Sequence, residues 1–430
     1  MNSLCENTGI FFDVKFYIKN GVKIKLQEKI LKKVEELESS MVESLTRICR
    51  IPAISPHNGG TGEEAKLLEL EKIISELKLG SVEWHRVEDE KSETGNRPSI
   101  FLDYPGKSER RLCILTHVDV VPEGDLSAWS INPFEPVVKG TRLYGRGVSD
   151  NGMCLISSLF ALKAIHDLKI VPEYTVRLGF IADEEMGSNF GLKPLIERGL
   201  FKSDDLVIAP DSGNDSGDFI EIAEKADLKM KFTVIGKQVH AALPHTGLNA
   251  CRVANKLAYD IDEALHKAFP NENEIFEPSF STFEPTRRFQ NVPNVNTVPG
   301  REVFEFDCRI LPEISLDEVI GLVKKICIET EKSTNAKIIF EFTRGDSAPI
   351  TSSESDIAKL LIKSIRAVFG KEPVTGGVGG GTFAAFFRRK GIPAVVWSQE
   401  CEGVAHQPDE YTEIKYLVNN AKVFALMMSN

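Results

Sequence analysis

Three apolar runs rich in branched residues each stop at acids or a histidine. They are Cys113-Ile-Leu-Thr-His117-Val-Asp119, Val176 to Ala182 followed by Asp183-Glu184-Glu185, and Leu206 to Pro210 followed by Asp211. Runs of this length without polar alternation predict strands buried on both faces, as in a parallel sheet. Apolar residues at three- and four-residue spacing predict helices between them. Ile30, Leu31, Val34, Leu37, Met41, Leu45 and Ile48 mark one over 23–51, which Pro52 ends. Further helices are predicted over 63–79, 153–168 and 354–369, and further strands near 82–87, 99–104 and 394–398.

From about Glu221 the texture changes. Leu228 to Val234, Val303 to Ile310 and Lys337 to Phe342 alternate apolar and polar residues, which predicts an antiparallel sheet with one face covered. Helical patterns lie between them, over 249–269 and 316–331. The buried α/β pattern then returns. The expected fold is therefore α/β with a mostly parallel central sheet over 23–220 and 347–430, interrupted by an inserted α+β domain over 221–346. Residues 1–22 fit neither pattern and read as a disordered extension or an upstream start. Ile10 to Ile18 is apolar but broken by Asp13 and Lys15, too short to span a bilayer. No run elsewhere reads as long and uncharged enough to do so.

Composition changes this picture little. At 430 residues the chain suits two domains, with hydrophobic residues at 42% and charged residues at 27%. The net charge of -11 argues against nucleic acid as a partner. The eight cysteines form no C-x-x-C pair, and several sit in apolar runs. That pattern suits a reducing cytoplasm.

The candidate chemistry lies where the strands end. His117 and Asp119, two residues apart on an extended backbone, point the same way. A carboxylate beside a histidine fixes its tautomer and frees the other nitrogen for a metal, although a hydrogen-bonded turn histidine would look the same. Asp150, in Gly145-Arg-Gly-Val-Ser-Asp150-Asn-Gly152, sits near a helix start, where an N-cap is the ordinary role. Asp183-Glu184-Glu185 is either a solvated acidic loop or a cation site. His406, in Val404-Ala-His406-Gln-Pro-Asp-Glu410, is by itself an ordinary loop histidine. Gly379-Gly-Gly-Thr382 precedes a helix, but lacks the pattern of a phosphate loop. Together, two histidines and several acids suit a pair of divalent ions, zinc foremost, with cobalt or manganese as substitutes. Such a pair activates a water and polarises a carbonyl, while one carboxylate stays off the metals as base. Glu184 and Glu185 are placed to divide those two tasks.

The order of these motifs resembles the aminoacylase/carboxypeptidase family of di-zinc amidohydrolases, which includes succinyl-diaminopimelate desuccinylase, acetylornithine deacetylase and PepV-type dipeptidases. The resemblance covers about Leu26 to the C-terminus. It rests on Thr116-His117-Val-Asp119, Gly145 to Asp150, Asp183 to Ser188, Pro210-Asp211, Gly236-Lys-Gln-Val-His240 and Ala405-His406. It implies a zinc-peptidase-like catalytic domain and an inserted lid or dimerisation domain. It also implies that His117 and Asp211 bind one zinc, that Glu185 and His406 bind the other, and that Asp150 bridges. Asp119 would orient His117 and Glu184 would be the general base. His240, from the partner of a homodimer, would stabilise the oxyanion. Asn296, Arg309, Gly380, Gly381 and Thr382 would hold the substrate. Arg309 also fits an internal ion pair.

Three departures touch the substrate. Asp150 is followed by Asn-Gly152 rather than the x-Lys-Gly common in the family. The fifth ligand is Asp211, where deacylases often carry Glu and dipeptidases often carry Asp. Phe383 follows the glycine-rich loop instead of the commoner Asp. The expected function is hydrolysis of an N-acyl amino acid, of the desuccinylase or deacetylase type. The alternative is dipeptidase or aminopeptidase-like cleavage of short peptides, with a non-catalytic binding protein as a remote third. Neither a nucleic acid nor a membrane is expected as a partner.

Overall fold

The computed structural model describes residues 24–345 and 347–430. The expectation for 1–22 lies outside the described residues. The chain divides into two compact units. Among the described residues, one holds 24–220 together with Ser352–Val374 and Ile392–Asn430; the other holds Glu221–Thr351 and Thr375–Gly391. The hydrophobic pattern assigns 347–430 whole to the larger domain. Thr375–Gly391 instead groups with the insertion, because its glycine-rich turn is tied to residues there.

The larger unit is built on six adjacent strands of one sheet, in the order Glu83–Glu88, Asn96–Tyr104, Tyr174–Ile181, Ser108–His117, Leu206–Asn214, Ala394–Gln399. The first two pairings are antiparallel and the last three parallel. Leu112, Ile114, Val176, Leu178, Val207, Ile208 and Val395 are all buried within it, as expected of strands covered on both faces. Three parallel strands side by side bring the ends carrying His117, Asp183-Glu184-Glu185 and Asp211 together. A crevice beyond the carboxyl ends of such strands is where open α/β sheets bind ligands.

Helices cover this sheet. The first predicted helix is two, 24–35 and Glu38–Cys49, separated by a turn at 36–37. Cys154–Asp167 is buried along most of its length. By length and composition the stretch Val148–Asp167 would suffice to cross a membrane, contrary to the expectation from sequence, but most of it is buried inside the protein. It is a core helix, and the C-terminal helix Ile414–Ser429, unforeseen in the sequence, packs on it. Ser157 Oγ donates to the Leu417 carbonyl at 2.8 Å across that contact. The helix Asp356–Phe369 starts at Ser355, whose side chain accepts from the Ala358 N–H, and stops at Gly370 in the left-handed region.

A small antiparallel sheet, Val137–Lys139, Arg142–Tyr144 and Tyr411–Glu413, matters for the site. It clips the segment after His406 onto the segment before Asp150.

The smaller unit has a four-stranded antiparallel sheet in the order Thr282–Arg288, Arg301–Ile310, Ala226–Ile235, Lys337–Arg344. The strand with Pro285 was not foreseen; it lies at an edge and its register shifts there, which is where a strand tolerates proline. Helices Ala250–Ala268 and Leu316–Thr334 bury their apolar stripes with this sheet. Phe232 stacks on Phe304 at 4.8 Å between ring centres. The stripe Ala250, Val253, Ala254, Leu257, Ile261 lies in this core. Of the two readings open for it, sheet packing holds and a dimer contact does not.

Candidate metal centre

His117 ends its strand and is 2% exposed. Its Nδ1 is 3.0 Å from the Asp119 carbonyl oxygen and 3.6 Å from the Asp119 carboxylate. Its Nε2 faces Asp150 Oδ1 at 2.9 Å and Asp211 Oδ1 at 3.2 Å. The Asp119 carboxylate has a further task. It accepts the backbone N–H groups of Glu184 and Glu185, each at 3.1 Å, and so fixes the base of the acidic loop. The orienting contact to His117 comes at shorter range from the backbone carbonyl than from the carboxylate that the sequence reading favoured.

Asp150 is not an N-cap. The helix beyond it begins at Cys154 without a side-chain cap. Its carboxylate turns instead to both histidines, Oδ1 toward His117 and Oδ2 toward His406 Nε2 at 3.1 Å. His406 Nε2 is also 3.1 Å from Glu185. Two groups of ligand atoms result, each group within 4.8 Å: His117, Asp150, Asp211 and Asp150, Glu185, His406. Asp150 is common to both. The five ligand candidates thus converge within one unit.

Glu184 stands beside them but belongs to neither group. Its carboxylate makes no hydrogen bond to another described residue. Burial, then the charge of Asp211, pushes it well above the usual carboxylate range. Glu185 and Asp211 are raised too, with burial the main cause. Burial resists protonation of His117, but Asp211, Asp119 and Asp150 together outweigh it and hold the ring well above the usual histidine range. His406 is pushed up to about 10, chiefly by Asp150 and then Glu185. Asp150 shifts the other way: burial is overcome by its hydrogen bonds to His117 and His406. Acids and imidazoles packed this closely are held together only by protons or by cations.

Several supporting residues carried no role in the sequence reading. Glu410, 1% exposed, accepts the N–H of Ser149 at 3.0 Å and of Asp150 at 3.2 Å, and pairs with Arg146 at 2.6 Å. Asn151 Nδ2 donates to Asp211 Oδ1 and to the Pro210 carbonyl, both at 2.8 Å. Gly152 has no room for a side chain, since a Cβ there would lie 2.4 Å from the Gly147 carbonyl oxygen. Arg97, fully buried, bonds Glu63 and lies 3.1 Å from Asp183. Asp183, the first acid of the triplet, is therefore structural. The counter-charge for it comes from a neighbouring strand, invisible beside it in the sequence.

The remaining candidates lie in the smaller unit. His240 and Asn296 are exposed, and His240 Nδ1 accepts the Ala242 N–H at 3.0 Å. Arg309 is held by Asp307 at 2.7 Å and donates to the Gly379 carbonyl at 3.0 Å, which is the internal ion pair that stood as its alternative. Gly380 and Gly381 are exposed, and the Thr382 hydroxyl is bonded to Glu224 at 2.6 Å.

Comparison with known proteins agrees with this geometry. Residues 113–430 match the description Peptidase family M20/M25/M40. An uncharacterized metallohydrolase of Methanocaldococcus jannaschii is 38% identical over 415 residues, covering 92% of this chain and 98% of its own. A succinyl-diaminopimelate desuccinylase of Polynucleobacter necessarius is 29% identical, covering 65% of this chain and 72% of its own. Among solved structures, an M20 family metallo-carboxypeptidase of Sulfolobus solfataricus superposes with a TM-score of 0.70 at 22% identity, covering 90% of this chain and 98% of its own.

Proposed function

The chain belongs to peptidase family M20/M25/M40 and is a metallohydrolase, and on that premise we propose that it cleaves the amide bond of an N-acyl amino acid with a water as the attacking group. The observation that carries this reading is the position of Asp150, shared by two sets of ligand atoms. The donors fit a pair of divalent ions: each set joins one imidazole to carboxylates, a mixture suited to zinc, with cobalt or manganese as substitutes. His117 and Asp211 would hold one ion, Glu185 and His406 the other, and Asp150 both. When bound, such ions polarise the amide carbonyl and make a water acidic at neutral pH.

The chain's own residues do the rest. Glu184, beside the ligands and with a carboxylate that no other described residue hydrogen-bonds, takes the proton of the attacking water on that carboxylate and delivers it to the leaving amine. Asp119 keeps Glu184 and Glu185 in register by holding both backbone N–H groups. His240 donates to the developing oxyanion; in this reading it comes from the second subunit of a homodimer made through the smaller unit. The dimer contact uses a face other than the stripe from Ala250 to Ile261, which is buried in its own unit. Gly380 and Gly381 receive the substrate's carboxylate.

The resemblance to a desuccinylase supports the acyl amino acid as substrate. Asp211 in place of Glu favours the second reading, hydrolysis of a dipeptide or short peptide. A screen of N-acetyl and N-succinyl amino acids against dipeptides, with the zinc-, cobalt- or manganese-loaded enzyme, separates the two. Turnover of acyl amino acids with dipeptides inert supports the first reading; the reverse supports the second.

A further inference from the structure

The turn from Gly379 to Thr382 is tied at both ends. At one end Arg309, itself paired with Asp307, donates to the Gly379 carbonyl at 3.0 Å. At the other, the Thr382 hydroxyl donates to Glu224 Oε1 at 2.6 Å, while its oxygen accepts the Ala384 N–H at 3.2 Å. The Glu224 side chain is 3% exposed, and Arg388 Nη1 lies 3.4 Å from the same oxygen. Glu221 approaches that guanidinium from another direction, also at 3.4 Å. The other Glu224 oxygen runs under the turn, 3.9 Å from where a Cβ on Gly381 would stand. Between the ties, the N–H groups of Gly380 and Gly381 find no acceptor among the described residues.

Three successive glycines give this turn more conformational freedom than any other residues would. A hydrogen bond to a buried, ion-paired carboxylate is among the stronger local restraints available. It also commits the Thr382 proton inward, so the hydroxyl has none to give a ligand. We infer that Glu224 is a positioning residue, holding the turn through Thr382 so that the Gly380 and Gly381 N–H groups meet the carboxylate of an acyl amino acid or peptide. Glu224 acts on substrate only through the turn. The inference rests on the hydrolytic reading above.

Two measurements test it on the metal-loaded enzyme. The first is hydrogen exchange of the peptide covering 376–386, which needs no substrate. Glu224→Leu and Thr382→Val should both speed its exchange, and Glu224→Gln, which keeps an acceptor, should do so least. Thr382→Val leaves the Glu224–Arg388 pair in place, so it serves even if Glu224→Leu folds poorly. The second is steady-state kinetics on the substrate that the screen selects. KM should rise about tenfold in Thr382→Val, on the scale of one hydrogen bond to a charged group, and more than kcat falls. Adding Glu224→Leu to Thr382→Val should change KM little further, because both act through one contact. Unchanged exchange in both variants overturns the positioning role. Faster exchange with unchanged KM overturns the link to substrate, while the hydrolytic reading still stands or falls on the screen.

Discussion

Nε2 of His117 lies 2.9 Å from Oδ1 of Asp150, two side chains brought face to face from the end of a buried strand and from the turn before a core helix. The other oxygen of the same carboxylate faces His406. Removing this carboxylate should therefore disturb both halves of the centre. Asp150→Ala is expected to hold fewer than two metal ions after dialysis and to lose activity. Two tightly bound ions in that variant, counted by elemental analysis, would defeat the bridging role.

Glu184 and Glu185 are adjacent in sequence but differ in surroundings. Glu185 faces His406, while the Glu184 carboxylate makes no hydrogen bond to another described residue. Glu184→Gln should keep the metal content and lose at least two powers of ten in kcat, within the roughly 10²–10⁴-fold range of general base catalysis. Glu185→Gln should instead lose affinity for one ion first. Near-normal turnover by a metal-loaded Glu184→Gln enzyme would place the base elsewhere.

Metal loading should release protons. In the metal-free protein His406 is raised to about 10 by Asp150 and Glu185, so at pH 7 the ring carries a proton that a metal must displace. Affinity should rise with pH up to that value and fall as pH drops. The metal-free fold shows the opposite sign. The stabilisation from protonated His406 is complete below the ordinary histidine value and is lost as pH rises through about 10. Calorimetric titration at one pH in buffers of different ionisation enthalpy reads the released protons directly.

Arg146 and Glu410 form a buried pair at 2.6 Å that holds the backbone under Asp150. Arg146→Met leaves a buried acid without its partner and should lower stability by about 3–5 kcal/mol, the usual scale for breaking such a pair. Glu410→Gln should weaken metal binding by about 10- to 100-fold, as loss of ligand support commonly does. Denaturant unfolding and competitive chelation measure the two effects.

His240 tests the subunit arrangement. His240→Ala should lower kcat by roughly two to three powers of ten, on the scale of one oxyanion donor, with metal content unchanged. Mixing it with inactive Glu184→Gln should recover part of the activity, because a hybrid dimer would contain one complete site. A fully active monomer, or no recovery despite proven subunit exchange, would rule out donation from the partner.

Much of this centre was legible in the chain. Each ligand candidate follows an apolar run or sits in a short polar motif, and a strand that ends in His or Asp advertises its chemistry locally. The positioning residues were not legible. Arg97 answers Asp183 from a different strand, and Glu224 answers Thr382 from 158 positions away. Arg309 shows the limit of residue type as a guide: its neighbour Asp307 and the Gly379 carbonyl take its donors, a choice made by packing.

Sequence alone determined the two-part α/β and α+β pattern, because hydrophobic period reports directly whether a strand is buried on one face or two. It also determined the donor types that make a divalent metal pair chemically sensible. Only the tertiary structure decided that Asp150 turns to two histidines rather than capping a helix, and that Asp119 holds the acidic loop by its backbone. It also decided that Thr375–Gly391 goes with the insertion. The reason is physical: a carboxylate's role depends on which donors lie within about 3 Å of its oxygens, and here those donors come from chain segments that only folding brings together.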